Sequence, residues 1–279
     1  FTIDGVSANT GVSGGGLPAQ MPVGSLPNMT AFGSFHDLIS VESLDEFRVQ
    51  TSTAAPEHGR SPGGEVQLSS RSRSNDFHGT ISDVLGNEVF DANDWFRNAA
   101  GSPRLPLRLQ DFGAALGGPV RRNRTFFFLS YEGLRLEQPL TWESAVPSLA
   151  IRASAPALFQ PILNAFPVPN GPDLSPAIAK WTSGSSRPSS FDGGSLRIDH
   201  ALTGNLLLFG RYSQTSSSTQ FGSSQIDTVD IHSRSLTLGL NAALSPSSTG
   251  EFRLNRTNTS GASVWQTTTN QPVGCYTDV

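Results

Sequence analysis

The sequence predicts a mostly β protein in which a small mixed domain is followed by the first strands of a large antiparallel transmembrane β-barrel. Three observations predict it. Stretches of about ten residues alternate apolar and polar side chains, the connections between them run alternately long and short, and turn formers abound, with 28 glycines and 19 prolines in 279 residues. Period-two alternation makes a strand with one greasy and one wet face. A tilted strand needs ~9–11 residues to cross a bilayer. Long loops at one end and short turns at the other are the signature of an up-and-down membrane barrel, which a sandwich has no reason to share.

The first 74 residues read as the small domain. Short alternations occur at Phe1-Thr2-Ile3-Asp4-Gly5-Val6, Leu44-Asp45-Glu46-Phe47-Arg48-Val49-Gln50 and Glu65-Val66-Gln67-Leu68, with Gly-rich sequence between them. Residues 35–39 fit a short helix or a turn equally well. From residue 75 to 279 seven strand-like stretches follow, at 76–85, 107–116, 125–136, 193–202, 206–214, 233–244 and 249–258. The sixth is the clearest, with Leu236, Leu238, Leu240, Ala242 and Leu244 opposing Ser235, Thr237, Gly239, Asn241 and Ala243. Residues 86–106, 137–192 and 215–232 are expected to be long extracellular loops. Between them lie short turns at Gly117-Gly118-Pro119 and the arginines after it, Thr203-Gly204-Asn205, and Ser245-Pro246-Ser247-Ser248. The 137–192 connection holds 9 of the 19 prolines, so only a short helix near 157–165, interrupted by Pro161, is expected there. Phe90, Trp95, Phe96, Tyr131, Trp142 and Tyr212 lie near strand ends, where interfacial girdles or ordinary core aromatics would both fit.

Seven is odd and below the smallest barrel of ~8 strands. An open sheet would leave two bare edges in hydrocarbon, at several kcal/mol for each unsatisfied backbone group, against the ~5–15 kcal/mol of a typical fold. The reading therefore expects further strands beyond Val279, with 259–279 opening the next loop.

Composition narrows the function. The chain is 36% hydrophobic and 15% charged, with net charge −4 and pI near 5.7, so it carries no basic field for nucleic acid. Its one cysteine, Cys275, excludes an intrachain disulfide and a cysteine metal cage. No apolar run approaches the ~18 residues of a membrane helix. Gly11-Val12-Ser13-Gly14-Gly15 matches a nucleophile elbow in letters, but Gly16-Leu17-Pro18 cannot open the helix that motif needs. His36, His58, His78, His200 and His232 show no metal spacing. The reading is of a non-enzyme without metal or cofactor.

Residues Val41-Glu42-Ser43-Leu44-Asp45-Glu46-Phe47-Arg48-Val49-Gln50 through Gly59-Arg60-Ser61-Pro62-Gly63-Gly64-Glu65-Val66-Gln67-Leu68 resemble the end of the plug domain of TonB-dependent receptors. Asn75-Asp76-Phe77-His78-Gly79, Leu116-Gly117-Gly118-Pro119-Val120, Arg124-Thr125-Phe126-Phe127-Phe128 and Tyr131-Glu132-Gly133-Leu134-Arg135 resemble the first barrel strands of the Oar-like group. Phe166-Pro167-Val168-Pro169-Asn170 and Leu196-Arg197-Ile198-Asp199-His200 also fit it. Two features depart from the group: Ser70-Arg71-Ser72-Arg73-Ser74 stands where a Lys-Ser-Gly-like hinge is usual, and His58 where an aromatic is common.

The resemblance implies a plugged barrel of ~22 strands in the outer membrane of a Gram-negative-type bacterium. It implies uptake of an extracellular solute (an oligosaccharide, peptide or metal chelate) driven by a TonB-type energy-coupling complex through a segment not in this chain. Lipid would cover the apolar face. Glu46, Arg48, Glu57 and Arg60 are the plug charges that could pair with the polar lumen, or equally stand on solvated faces; Gly63 and Gly64 would let the backbone pass close to the wall. Two alternatives stay open: an outer-membrane surface or adhesion protein with the same barrel, and a secreted soluble all-β binding module that buries Leu236, Leu238 and Leu240 against a second sheet.

Overall fold

The computed structural model describes residues 1–9, 29–33, 38–51, 64–99, 101–222 and 225–267. Four short strands build the first sheet: β1 (Thr2–Ile3), β2 (Val6–Ser7), β3 (Leu44–Gln50) and β4 (Glu65–Ser70). Their order is β2-β1-β4-β3, with β1 parallel to β4 and the other pairs antiparallel, which makes the sheet mixed. Ile3, Leu38 and Leu68 form its buried core, with Phe1, Ile39, Leu44 and Val66 packed around them. Asp4 and Gly5 join β1 to β2 with φ of +50° and +79°, the positive pair that a two-residue type I′ hairpin demands and that Asp-Gly supplies most readily.

The second sheet is a seven-stranded antiparallel meander: β5 (His78–Asn87), β6 (Arg108–Arg121), β7 (Thr125–Pro147), β8 (Ile178–Thr203), β9 (Leu206–Phe221), β10 (Gln225–Ser245) and β11 (Ser248–Thr267). Every strand pairs with its sequence neighbour and β5 and β11 are the edges, as in part of an unclosed up-and-down barrel. All seven expected strands are present in the expected order. Three register shifts, at 119/121, 201/203 and 243/245, lie beside the short turns, where a bulge bends the ladder into its hairpin.

The strands run further than the alternation suggested. Segments 137–192 and 215–232, expected as loops, are strand for much of their length, because β7 and β8 extend to 23 and 26 residues and β10 to 21. The physical reason is solvent: above the bilayer neither face meets lipid, so Ser, Thr and Gly serve on both sides and the apolar half of the pattern disappears. Residues 259–267 likewise continue β11. What remains between β7 and β8 is a cap of two short helices, α2 (Leu149–Ser154) and α3 (Gln160–Ala165). Pro161 sits in the first turn of α3, where its missing N–H costs nothing, so it opens the helix instead of interrupting one. A third helix, α1 (Trp95–Ala99), lies in the β5–β6 connection.

The two faces of the large sheet differ sharply. Reading the register across strands, one face carries Leu116, Leu129, Leu196, Tyr212 and Leu236 in one row, then Phe127, Ile198, Gly210, Leu238 and Leu254 in the next. Leu129, Ile198, Leu236, Leu238 and Leu254 are all exposed. The other face carries Thr80, Ala115, Ser130, Ser195, Ser213, Ser235 and Thr257 in one row. The small sheet docks on this polar face, which leaves the greasy one with no protein layer among the described residues. That arrangement removes the sandwich alternative, which needed Leu236, Leu238 and Leu240 packed against a second sheet. Among the described residues no helix is long and apolar enough to cross a membrane.

Candidate functional site

The contact between the small sheet and the polar face is built at three points. At the first, the β1–β2 turn pushes Asp4 against strands β8 and β9. Its carboxylate lies 3.3 Å from Arg197 Nη1 and 3.2 Å from Arg211 Nε, with all three side chains no more than 10% exposed. Ser70, the last residue of β4, ties the cluster together: its N–H donates to Asp4 Oδ1 at 2.9 Å, and its hydroxyl accepts from Arg197 Nη1 at 2.6 Å. Arg197 also donates two bonds to Asp199 on its own strand, at 2.9 and 3.0 Å, so its fork is fully committed. Two carboxylates and two guanidinium groups thus balance inside the interface.

The same cluster has an aromatic floor. Phe209 of β9 lies opposite Gly239 of β10, where a Cβ would sit 2.1 Å from the ring, so only glycine lets the ring lie flat on the sheet. Arg197 stacks 4.4 Å and Arg253 5.1 Å from the ring centroid. Arg253 in turn donates from Nε to the backbone carbonyl of Asp4 at 3.2 Å. Alternation explains the convergence: positions 197, 199, 209, 211 and 253 all fall on the inward side of their strands.

At the second point a 3-10 turn, Val41–Ser43, leads into β3. The Glu42 carboxylate accepts from the hydroxyls of Thr80 at 2.5 Å and Ser82 at 3.1 Å on β5. Ser40, which caps the turn, donates to Ser130 at 3.3 Å, and Ser130 bonds Ser195 at 2.7 Å. At the third point the Ala31 N–H donates to Ser217 at 2.8 Å, and Ala31 packs into a buried cluster with Val229 and Ile231. The linker after β4 is held as well. Arg71 donates to the Leu44 carbonyl at 3.1 Å, and Asn75 exchanges two bonds with Asn123 in the β6–β7 turn.

Of the plug charges picked out in the sequence, Glu46 and Arg48 lie exposed on β3. Gly64 has φ +148°, and a Cβ there would come 2.9 Å from the Gln50 carbonyl, so its role is close passage of β3 and β4. Glu57, Arg60 and Gly63 lie outside the described residues, as do Ser13, His36, His58 and Cys275. The charged residues that do join the two parts are Asp4, Glu42, Arg197, Arg211 and Arg253. An available signal was arginine and aspartate at inward positions of otherwise apolar-alternating strands, such as Leu196-Arg197-Ile198-Asp199. Tyr131 and Tyr212 stand on the outer face at the upper edge of the apolar rows, the place of an interfacial girdle. Trp142 is on the inward face, under Arg187. No three His, Cys, Asp or Glu side chains converge as metal ligands among the described residues.

The cap above the strands is tied down separately. Arg152 of α2 donates to the carbonyls of Phe166 and Pro167 at 3.1 and 2.7 Å, and Arg97 of α1 to Pro103 at 2.9 and 2.7 Å. Lys180 pairs with Glu143 at 2.6 Å across the β7–β8 hairpin.

Comparison with known proteins agrees with this architecture. No solved structure matches the chain. The TonB-dependent transporter Oar of Myxococcus xanthus is 31% identical over 118 residues, a match that covers 37% of this chain and 10% of that protein's length. The likeness to the Oar-like group is therefore shown, and it is to a transport protein, not an enzyme. The outer membrane β-barrel domain model matches residues 69–161 and 154–277, which takes in all seven strands of the large sheet. With its greasy face bare, its polar face occupied and most of its length matched, the chain belongs to the outer membrane β-barrel domain family and resides in the outer membrane.

Proposed function

We propose that this chain forms the plug end and first wall strands of an energy-coupled importer, with residues 1–74 as plug and 75–279 as wall. The observation that carries the reading is the Asp4 contact: the plug is held to the wall largely by charged and hydroxyl groups, with only a small apolar cluster, Ala31 on Val229 and Ile231, beside them. Breaking such a contact exposes polar groups that water can satisfy, whereas pulling apart an apolar interface would expose greasy surface at ~25 cal/mol per Å². An interface of this kind suits an element that must shift and return. The TonB-type partner and the extracellular solute follow from the likeness to a TonB-dependent transporter. Glu46 and Arg48, turned away from the strands seen here, would meet the wall that closes the barrel.

The test needs no knowledge of the solute. Ser130 is 2% exposed beneath the plug. In the full-length protein, Ser130→Cys should react with a maleimide several-fold faster in energised cells than after collapse of the proton gradient. Equal labelling in both states would remove the import reading and leave a barrel whose plug does not move, as in a surface protein.

A further inference from the structure

Just where the apolar rows of the outer face end, two arginines stand without a partner among the described residues: Arg234 of β10 and Arg256 of β11. Arg256 lies opposite Leu236 and Arg234 opposite Asn258, so the two are diagonal neighbours on one face, roughly 7–8 Å apart at the backbone. Other arginines on this face are neutralised. Arg135 pairs with Asp192 at 2.8 Å, and Arg108 lies 3.9 Å from Glu137. Around Arg234 and Arg256, the nearest outward positions on β9, β10 and β11 are Tyr212, Gln214, Ser216, His232, Asn258 and Ser260, with no carboxylate among them. Below lie only Leu238, Leu254, Leu240 and Phe252.

We infer that Arg234 and Arg256 form a binding site for the phosphate group of an outer-leaflet lipid. The chemistry is specific. Two forks at the rim of the hydrocarbon band can bracket one phosphate, whose acyl chains would lie along the leucine rows beneath, while Gln214 and Asn258 offer amides to a polar headgroup. An arginine that merely lifts its charge out of the bilayer would need neither a second arginine beside it nor the absence of acids around it. The site rests on the reading above in one respect: the end bearing the α2–α3 cap must face outward.

The test uses the full-length protein in detergent micelles, titrated with bis-phosphorylated lipid A, with the same lipid stripped of phosphate, and with inorganic phosphate. The phosphorylated lipid should bind, the stripped lipid and the Arg234→Gln/Arg256→Gln variant should bind about tenfold or more weakly, and inorganic phosphate should not compete at micromolar levels. Equal affinity for both lipids, an unchanged double variant, or competition by free phosphate would overturn the site. Labelling of Ala157→Cys and Ser247→Cys in intact cells settles orientation independently. If the residue-157 end reacts from outside and the lipid results are negative, the site alone fails; if the residue-247 end reacts, the orientation does.

Discussion

Asp4 and Arg197 stand 193 positions apart in the chain and meet with Oδ1 and Nη1 3.3 Å apart, where a hairpin tip of the small sheet touches the middle of the wall. Neither would be expected there alone. The carboxylate is 5% exposed and the guanidinium 10%, so each has given up most of its water in return for the other, for Ser70 and for Asp199. Removing one member of a buried pair leaves the rest uncompensated, which typically costs ~3–5 kcal/mol, whereas the intact pair adds little over an apolar substitute. The contact is thus a registration device: it penalises misplacement more than it rewards assembly.

Asp4→Asn should loosen the plug without unfolding the wall. Arg197 keeps Asp199 but Arg211 loses its only ion-pair partner among the described residues. Hydrogen exchange across residues 1–9 and 65–70 of the full-length protein should accelerate about tenfold or more, with β7–β10 unchanged. A double-mutant cycle with Arg197→Gln should return a coupling of ~1–3 kcal/mol. Additive effects would show that the two residues act separately.

Gly239→Ala should disturb the same cluster from below. The added Cβ falls 2.1 Å from Phe209 Cε1, so the ring must rotate out from under Arg197 and Arg253. Overpacking of this kind costs ~1–3 kcal/mol. The thermal transition of the variant should fall, and Gly239→Ala with Phe209→Leu should recover part of the loss. No recovery in the double variant would mean that ring crowding is not the cause.

Much of this fold was legible in the sequence because lipid imposes a strict code: wherever one face met hydrocarbon, as at Leu236, Leu238 and Leu240, the strand declared itself. Where the strands rise clear of the bilayer, as at Ser183 to Pro188 or Ser216 to Ser218, the code lapses and the ladder continues unannounced. The site was less legible for a different reason. Glu46 and Arg48 drew attention as charges within a recognised stretch, yet contact is decided by which face a strand shows and which row it occupies. Asp4 read as part of a short strand-like alternation, whereas it sits in the β1–β2 turn; that the turn reaches Arg197 and Arg211 depends on how β1 pairs with β4, which no local pattern encodes.

The lipid assignment of the outer face yields a sharp contrast. Leu238→Arg places a charge on the outer face, at a depth where arginine costs ~2–4 kcal/mol near the bilayer midplane. Ser235→Arg, on the inward face three positions further up the same strand, meets hydroxyls and water instead. Folding of the full-length protein into vesicles, followed by denaturant titration, should show a large loss for the first and a small one for the second. Equal losses would mean that the Leu238 face does not meet hydrocarbon.

Arg152→Ala should uncouple the cap from the wall. The guanidinium is 9% exposed and gathers the carbonyls of Pro147, Phe166 and Pro167, so it fastens the end of β7 to the segment after α3. Its loss strands three acceptors at the base of the cap, at ~1–3 kcal/mol for each one left unsatisfied and less where water enters. Protease cleavage within residues 148–177 should rise severalfold while the heat-resistant barrel band on a gel is unchanged. Arg152→Lys should rescue little, because a single ammonium cannot span carbonyls that the planar fork reaches together. Full rescue by lysine would reduce the role of Arg152 to its charge.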